Sequence, residues 1–356
     1  MLKQLKISID KELKSFLKNS ENDFSLKKNS LLLYNGLQDF LSRKGKRIRP
    51  IFFILSYLGY TKKRGYSQKK LIQCSLALEL LHDFLLIHDD IIDKSDLRRG
   101  KPTLHRLFNK NSGQTLNNEL GNGLAIVAGN IVFAMAVTTL LSFNEKDSRK
   151  IQALSAFIEM TVATGTGEFI DVINNMTRID RIKKKDVLLT YTLKTAKYTF
   201  EAPLLMGAHL AGIGENPGLK SGKTELSLLS TIGNLIGQAF QIQDDLLDIF
   251  SSSKKTGKPV LSDLAESKKT LLIWKTYNSL KGCDKKTLKK LLEKDKKTYK
   301  DLLAMQKFIK ISKAGEYCGK KAKSLLRKAF SLCSRLKMKP KYRNMLESFV
   351  QDLIQQ

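Results

Sequence analysis

The stretch Leu85–Asp93 reads LLIHDDIID, and its acidic pattern returns as DDLLD at Asp244–Asp248. Each copy lies near the end of an apolar stretch with helical spacing. Because residues four apart lie about one turn apart on a helix, the first and last aspartates of each copy share one face. Like charges placed in this way repel each other, so both pairs are expected to need cations. Two such clusters in one chain therefore predict metal binding rather than a solvated helix end.

Helical periodicity extends over most of the chain, and Ser67 is a predicted N-cap for the helix that carries the first acidic stretch. Further helical stretches are predicted around Leu13–Leu17 and at 30–42, 120–143, 150–164, 186–211, 223–250, 270–280, 285–292, 299–311, 314–335 and 342–354. Strand alternation bounded by hairpin turns is absent from the sequence. The sequence therefore predicts an all-α fold, a bundle of long helices packed around a central cavity.

The composition excludes several classes of protein. With 356 residues, 42% hydrophobic and 27% charged, the chain is ordinary for a globular protein and too apolar for a disordered one. The formal net charge of +29 comes mostly from lysines spread along the chain. Nine of them lie in residues 281–300, where leucines recur at helical spacing, which indicates a solvated helix face. Aromatic and basic residues do not interleave as in base-stacking proteins, so no nucleic acid is expected and a nucleic-acid-binding module is the outside alternative.

Cysteine usage and the hydropathy pattern indicate a cytoplasmic protein. The four cysteines form no CxxC motif, which favours a reduced compartment over a zinc site or a disulfide framework. The first residues lack the apolar core of a secretory signal. Residues 120–143 are 24 residues without a charge, long enough to span a membrane, but Asn122 and Asn130 interrupt them. A buried core helix is the prediction there, with at most peripheral membrane contact.

Basic residues accompany both acidic stretches. They lie in KGKRIRP at 44–50, after the first cluster at 98–99, after the second at 258 and 268–269, and in a separate helical stretch at 194. Carboxylate oxygens without His or Cys suit Mg²⁺, whereas Arg and Lys bind phosphate directly. The chain is therefore expected to bind one diphosphate through metals and another through cations alone. The sequence has no Walker-type glycine-rich loop, which disfavours a nucleoside triphosphate.

From about Lys44 to Leu272 the chain resembles the trans-isoprenyl diphosphate synthases, also called polyprenyl synthetases. The matching motifs are GKRIRP, LLIHDDIIDKSDLRRGKPT, KT at 194–195, GQAFQIQDDLLD, and TGKP followed by SDLAESKKTLL. The resemblance is strongest to short- and medium-chain geranylgeranyl or farnesyl diphosphate synthases. It implies a single isoprenoid synthase domain of the type I fold over residues 1–356, with motifs in 44–272 and a Lys-rich helical portion at 281–356. It also implies a homodimer and dependence on Mg²⁺, about three ions in each active site.

The resemblance also implies a role for individual residues. Direct Mg²⁺ ligands are implied at Asp89, Asp93 and Asp244. The remaining aspartates of the motifs are implied either as further ligands or as hydrogen-bond acceptors that support the direct ligands: Asp90, Asp245 and Asp248. A clamp on the allylic diphosphate is implied at Arg98, Lys194 and Lys258. An isopentenyl diphosphate site is implied at Lys46, Arg49, His82 and Arg99, with Lys268 as a further candidate for the metal-bound diphosphate. Oxygen dipoles aimed at a carbocation are implied at Thr195 and Gln241, and an apolar wall at Phe240.

The implied reaction is head-to-tail transfer of a dimethylallyl, geranyl or farnesyl group to isopentenyl diphosphate. The allylic C–O bond ionises, isopentenyl diphosphate attacks C1, and the released diphosphate accepts the proton, within apolar walls that exclude water. In the family, a bulky residue just before the first motif acts as a floor for the growing chain. Phe84 and Leu85 lie there. The expected product is therefore C20, then C15, although packing of Phe84 between helices is the other interpretation.

Three alternatives remain open from the sequence: a long-chain polyprenyl diphosphate synthase, a class I terpene cyclase and a non-catalytic partner subunit. A cyclase has no need of the GKRIRP cations, and a non-catalytic subunit has no need of intact aspartate and arginine motifs. Departures from the usual family pattern occur at Lys44, Asn130, Glu168 and Ser267, while Asp171 is retained. None of these departures removes a primary metal ligand.

Overall fold

The computed structural model describes residues 2–63, 65–111, 118–215, 220–250 and 261–355. Helices make up nearly all of the regular structure in these ranges, which confirms the all-α prediction. The chain divides into two compact units, a first unit of Met1–Leu154 with Met206–Gly212 and a second unit of Ser155–Leu205 with Ile213–Gln356. The assignment of one domain to residues 1–356 stays a prediction.

Up to residue 176, the described chain is helical apart from one small hairpin. The elements are α1 (Leu2–Phe24), α2 (Leu26–Asn29), α3 (Leu31–Leu41), α4 (Ile48–Tyr60), α5 (Gln68–Ile92), the antiparallel strands β1 (Leu97–Arg98) and β2 (Lys101–Pro102), α6 (Leu104–Asn111), α7 (Asn118–Leu141) and α8 (Asp147–Met176).

After residue 176, the described chain contains α-helices of 4 to 31 residues and one π-helical segment. The elements are a 3₁₀ turn (Ile179–Arg181), α9 (Lys184–Thr190), the π segment (Tyr191–Glu201), α10 (Ala202–Leu210), α11 (Lys220–Phe250), α12 (Ser262–Ala265), α13 (Leu271–Ser279), α14 (Gly282–Leu292), α15 (Tyr299–Ile311), α16 (Ala314–Cys333) and α17 (Pro340–Gln355).

Side-chain caps fix the starts of several helices. The hydroxyl of Ser67 accepts a hydrogen bond from the N–H of Lys70, so the predicted N-cap of α5 is confirmed. Thr270 caps α13 in the same way, and Thr298 forms a capping box with Asp301 at the start of α15. Each cap satisfies a backbone N–H that has no partner within the helix and contributes about 1 kcal/mol to stability.

In the first unit, α5 packs along α7 and also contacts α1 and α4. The side chains of Phe52, Phe53, Leu76 and Leu80 are completely buried in its core. Burying one such side chain stabilises the fold by roughly 1.5–3 kcal/mol. Helix α4 was absent from the sequence predictions because a short, almost entirely apolar run does not by itself distinguish a buried helix from a buried strand.

In the second unit, α11 packs along the π segment on one side and along α16 on another. Two glycines of α11 allow the backbones to approach closely. A Cβ atom at Gly237 would lie 2.3 Å from the Cα of Ala196, and one at Gly233 would lie 2.5 Å from the Cα of Glu201. The two glycines therefore set the distance at which side chains of the π segment and α11 meet.

Two helical predictions differ in detail from the structure. Helix α8 continues to Met176, twelve residues beyond the predicted end at 164. The predicted helix at 186–211 contains the π segment, where the N–H of Ala202 bonds to the carbonyl of Lys197, five residues earlier. Such wider turns are rare and frequently occur at functional sites.

Two of the described helices, α5 and α7, are long and apolar enough to cross a membrane by length and composition alone. The apolar window of α5 is 67% buried, as expected of a core helix, whereas that of α7 is 44% buried. The prediction of a buried core helix at 120–143 therefore holds for one face of α7 only. Its other face exposes apolar residues in the single chain.

Candidate active site

The first acidic motif lies at the C-terminal end of α5, in the first unit. Asp93 ends the helix, and its N–H donates to the carbonyl of Asp89 at 2.8 Å. The side chains of Asp89 and Asp93 are half-buried, whereas Asp90 is completely buried. The structure thus presents the first and last aspartates of the motif at an accessible helix end and holds the middle one inside.

Arg98 fixes the acidic motif from the adjacent hairpin. Its guanidinium donates to Asp90 through two nitrogens, one of them Nε at 2.7 Å from Oδ1, and to Asp89 Oδ2 at 3.2 Å. Burial alone would lower the pKa of Arg98, but the carboxylates of Asp90 and Asp89 raise it overall. Arg98 is therefore a fixed positive charge at the rim of the aspartate cluster.

The hairpin separates Arg98 from Arg99. Arg99 and Gly100 have φ angles of 56° and 74°, the left-handed conformation that a tight two-residue hairpin turn requires. Arg43 holds this hairpin by donating to the carbonyls of Arg98 at 3.1 Å and Pro102 at 2.7 Å. Arg99 in turn donates to the carbonyl of Arg43 at 3.2 Å. The turn therefore directs two adjacent arginines into different surroundings.

The GKRIRP stretch contributes cations of two kinds. Arg47 is buried and forms ion pairs with Glu79 at 2.5 Å and Asp10 at 2.8 Å, so it holds α1, α4 and α5 together. Lys46 is exposed and Arg49 is half-buried. Arg47 therefore belongs to the core, while Lys46 and Arg49, the two residues predicted to bind a diphosphate, remain accessible.

His82 lies within the electrostatic influence of Arg49 and Arg99. It lies on α5 two turns before Asp89 and is half-buried. Burial and the positive charges of Arg49 and Arg99 lower the pKa of His82 well below its ordinary value. The imidazole is therefore neutral near pH 7 and can donate one hydrogen bond without becoming charged.

In the second unit, the π segment carries Lys194 and Thr195. The ammonium group of Lys194 lies 2.7 Å from Glu168 Oε2 and 2.8 Å from Asp171 Oδ2, both on α8. A Cβ at Gly167 would lie 2.4 Å from the backbone nitrogen of Lys194, so only glycine permits this contact between α8 and the π segment. The glycine thereby places both acidic residues beside the lysine.

A chain of hydrogen bonds joins Thr195 to the second acidic motif. The hydroxyl of Thr195 donates to Gln241 Oε1 at 2.7 Å, and Gln241 Nε2 donates to Asp245 Oδ1 at 2.8 Å. The hydroxyl of buried Tyr191 donates to the other oxygen of Asp245 and accepts the N–H of Leu271 at 2.8 Å. The orientation of the Gln241 amide is therefore set by its neighbours on both sides.

The three aspartates of the second motif lie in different environments. Asp244 is exposed, Asp248 is half-buried and Asp245 is buried. Burial, followed by the negative charge of Asp263, raises the pKa of Asp245 well above its ordinary value. Asp248 accepts hydrogen bonds from Ser262 Oγ at 2.7 Å and from the N–H of Asp263 at 3.1 Å.

Three further predicted site residues have distinct positions. Lys268 forms an ion pair with Glu266 at 2.7 Å and lies 3.9 Å from Asp263. Phe240 is half-buried on α11, and its ring meets that of Phe200 at a centroid distance of 5.5 Å. Lys258 lies outside the described residues.

Phe84 and Leu85 are half-buried on α5. The ring of Phe84 lies between His88, at a centroid distance of 4.6 Å, and Phe133 of α7, at 5.2 Å. A Cβ at Gly129 would lie 2.5 Å from the ring of His88, so the glycine makes room for this stack. Aromatic contacts therefore hold Phe84 in place, and its role as a floor for the growing chain stays a prediction.

Sequence reasoning missed Arg43, Tyr191 and the pair of Glu79 and Asp83 on α5. Tyr191 lies three residues before Lys194, but a single tyrosine in an apolar stretch gives no signal of a carboxylate partner 54 residues away. Arg43 could have been found because it directly precedes the basic stretch KGKRIRP at 44–50.

Residues 30–309 match the model of the polyprenyl synthetase family. This chain belongs to the polyprenyl synthetase family. The short chain isoprenyl diphosphate synthase of Methanocaldococcus jannaschii is 33% identical over 290 residues, which are 80% of this chain and 74% of that protein. The geranylgeranyl diphosphate synthase of Sulfolobus acidocaldarius is 32% identical over 282 residues, 78% of this chain and 77% of that protein.

The fold agrees with solved members of the polyprenyl synthetase family. The crystal structure of a geranylgeranyl pyrophosphate synthase from Corynebacterium glutamicum has a TM-score of 0.88 and 23% identity, and each chain is covered to 99%. The predicted isoprenoid synthase fold is thereby confirmed. The chain is a prenyltransferase of the trans-prenyl diphosphate synthase type, since its relatives catalyse this class of reaction.

The donor atoms of this polyprenyl synthetase fit the metal on which the family in general depends, Mg²⁺. Both motifs offer carboxylate oxygens only, with Asp89 and Asp93 half-buried and Asp244 exposed. Hard oxygen donors with room for water and phosphate oxygens suit Mg²⁺ better than Zn²⁺. The residues present therefore agree with a magnesium site at each motif.

Proposed function

We propose that this protein is a Mg²⁺-dependent synthase that condenses isopentenyl diphosphate with allylic diphosphates, head to tail, to geranylgeranyl (C20) or farnesyl (C15) diphosphate. The observation that carries the proposal is that the adjacent residues Arg98 and Arg99 have different hydrogen-bond partners. Arg98 donates to the carboxylates of Asp89 and Asp90, whereas Arg99 donates to the backbone carbonyl of Arg43. Two adjacent anion sites of different chemistry suit two diphosphate substrates.

The allylic diphosphate is assigned to the aspartate motifs. Asp89, Asp93 and Asp244, assisted by Asp90, Asp245 and Asp248, would hold about three Mg²⁺ ions. Bound Mg²⁺ supplies positive charge to the departing diphosphate. Arg98, Lys194 and Lys258 add direct charge-assisted hydrogen bonds to the same group. Arg98 holds Asp90 at the same time, so the cation keeps its orientation before substrate arrives.

The carbocation is assigned to the neighbourhood of Thr195. The hydroxyl of Thr195 donates its proton to a hydrogen bond with Gln241, so the lone pairs of the Thr195 oxygen are available to any further neighbour. Asp245 accepts from the Gln241 amide and thereby fixes which way the amide oxygen faces. Preorganised dipoles of this kind stabilise a developing positive charge without reorganising. Phe240 lines the apolar wall that excludes water.

Isopentenyl diphosphate is assigned to Lys46, Arg49, His82 and Arg99, with Lys268 kept as a candidate for the metal-bound diphosphate. A neutral His82 can donate to a phosphate oxygen, while the arginines supply bidentate hydrogen bonds. The released diphosphate accepts the proton from C2 of the condensed intermediate. No side-chain base is needed for that step.

Exposed seams on α7 and α8 support assembly into a homodimer. In the first unit, exposed residues of α7 recur every three or four positions, at Leu120, Gly123, Val127, Asn130, Ala134, Thr138 and Leu141. In the second unit, α8 has a comparable series at Ser155, Ile158, Val162, Gly165, Phe169, Ile173 and Met176. Val127 is 58% and Phe169 is 70% exposed in the single chain. Such a spacing fits helix pairing with a second copy better than contact with water.

The direct test is to incubate purified protein with labelled isopentenyl diphosphate, Mg²⁺ and each allylic primer in turn, and to size the products by chromatography. We expect C20 or C15 diphosphate, and no product after chelation with EDTA. Asp89→Asn and Asp244→Asn should each abolish turnover while the circular dichroism spectrum is unchanged. Absence of condensation with every primer, or turnover that persists in EDTA, would contradict the proposal.

A further inference from the structure

Asp83 is a buried acidic residue that has no role in the reaction proposed above. It lies on α5, is 1% exposed, and neither carboxyl oxygen has a hydrogen-bond partner among the described residues. An ionised carboxylate without partners is costly in the interior of a protein. Its neighbour one turn earlier, Glu79, is also buried but forms an ion pair with Arg47. Asp83 therefore balances charge at a distance rather than through a direct bond.

The charged groups that face Asp83 come from several elements of the first unit. They are Glu79 on α5, Arg47 and Arg49 at the start of α4, and Arg99 in the hairpin, while Asp10 on α1 is paired with Arg47 and His82 directly precedes Asp83 in the sequence. Asp39 on α3 is bound to Arg43 and Lys101, and Arg106 on α6 is bound to Asp96. Helix α7 has Glu119 as its one charged residue, about four turns from the ring of Phe133 that contacts Phe84.

The balance of charge in this cluster depends on the state of Asp83. Glu79 and Asp10 already neutralise Arg47. Burial and the negative charge of Glu79 raise the pKa of Asp83 to about 7, although Arg99, Arg47 and Arg49 act in the opposite direction. Near neutral pH the carboxyl group is therefore divided between its two forms. An additional anion beside Arg49 and Arg99 would shift it toward the neutral form.

We propose that Asp83 is a positioning residue of the isopentenyl diphosphate site, and that its carboxylate takes up a proton when a diphosphate binds at Arg49 and Arg99. The inference rests on the proposed function of these arginines. The O–H bond that forms takes its proton from the solvent, and no other covalent bond changes. While ionised, Asp83 attracts the two guanidinium groups inward and competes with the substrate for them. Once neutral, it leaves them to the diphosphate.

Two consequences separate this role from a purely structural one. Binding of isopentenyl diphosphate should be weaker above the pKa of Asp83, because the protein must then be protonated for tight binding. The allylic diphosphate, held by other residues, should lack this dependence. A residue that only supports the fold would change both affinities together, or change stability alone.

The test compares wild type with Asp83→Asn, which is close in shape and cannot titrate, and with Asp96→Asn as a matched control on an exposed acid. Isothermal titration with isopentenyl diphosphate in two buffers of different ionisation enthalpy, at pH 7.5, gives the number of protons taken up. Wild type and D96N should take up a fraction of a proton more than D83N. Steady-state assays should give a KM for isopentenyl diphosphate that rises roughly tenfold more in wild type than in D83N between pH 6.5 and 8.5.

Equal proton uptake in wild type and D83N, or equal pH dependence of KM, would overturn the assignment of Asp83. A parallel change in the KM for the allylic substrate would overturn it as well, because the effect would not belong to one site. If D83N fails to fold, Asp83→Ser provides the same comparison. Failure of wild type to bind isopentenyl diphosphate at any pH would instead contradict the proposed function.

Discussion

Neighbouring side chains of the same type have different roles in this structure. Arg47 is sealed in the core by Glu79 and Asp10, while Arg49, two positions later, stays accessible. Arg98 is bound to the aspartates, and Arg99 turns away from them. In each pair the backbone conformation sets the direction of one side chain, since Arg47 and Arg99 both have a left-handed φ. The local backbone thus converts runs of identical charges into separate structural and binding groups.

At Phe84, removal of the ring should lengthen the product. The side chain is held between His88 and Phe133, so Phe84→Ala opens space that its neighbours cannot refill without losing their own contacts. We expect the product distribution to shift by at least one isoprene unit, measured by chromatography of the dephosphorylated products. Phe330→Ala, which truncates a partly exposed phenylalanine of α16, should leave it unchanged. An unchanged distribution from F84A would remove Phe84 as the floor.

At Glu168, we expect a neutral side chain to strengthen binding of the allylic diphosphate. The ammonium group of Lys194 is shared between Glu168 and Asp171, and both acids compete with a phosphate for it. Glu168→Gln removes one competing charge, so the KM for the allylic substrate should fall by roughly three- to tenfold, about 1 kcal/mol. The matched control is Glu159→Gln, an exposed glutamate on the same helix. A higher KM in E168Q would instead show that Glu168 assists binding, for example as a metal ligand.

Among the elements, the π segment determines how the second unit presents its polar side chains. Its wider turn is accompanied by close contacts to glycines on both partners, Gly167 of α8 and Gly237 of α11. These contacts bring Lys194 to the acids of α8 and Thr195 to Gln241 of α11. A regular α-helix would rotate one of these two side chains away by part of a turn.

Helix α7 gives a prediction about assembly. Val127 lies in the middle of its exposed seam, so Val127→Glu would place a charge in the proposed contact between two copies. Sedimentation or light scattering should give a dimer for wild type and a monomer for V127E at micromolar concentration. Ile7→Glu, at an equally exposed apolar residue of α1, should remain dimeric. A dimeric V127E protein would exclude this seam as the interface.

For the molecule as a whole, the charge of +29 is the dominant physical property. Self-repulsion of so many cations destabilises the compact state, and salt screens it over about 10 Å at 0.1 M. We expect the melting temperature to rise by several degrees between 20 and 300 mM NaCl, measured by calorimetry at pH 7.5. Sodium phosphate at equal ionic strength should raise the melting temperature further if anions bind at Arg49 and Arg99. A melting temperature that falls with salt would mean that ion pairs outweigh repulsion.

Much of the fold and of the candidate site could be predicted from the sequence. The helical class, the N-cap at Ser67 and the end of α5 at the first acidic motif follow from local periodicity and local residue types. Helix α4 was missed because a short, almost entirely apolar run fits a buried helix and a buried strand equally well, and the hairpin was missed because its strands have two residues each. Prediction failed where the signal was too short or fitted more than one type of element.

The sequence by itself determined that acidic pairs one helical turn apart occur twice, that cations accompany them, and that apolar helical stretches carry both. These features are local, because spacing of three to five residues is enough to specify them. Only the tertiary structure decided that Arg43 holds the hairpin, that Arg47 is paired in the core, that Tyr191 holds Asp245, and that Asp83 is buried with no hydrogen-bond partner in the part of the chain that the structure describes. Those outcomes depend on which residues far apart in the chain come into contact, and on how little water reaches them.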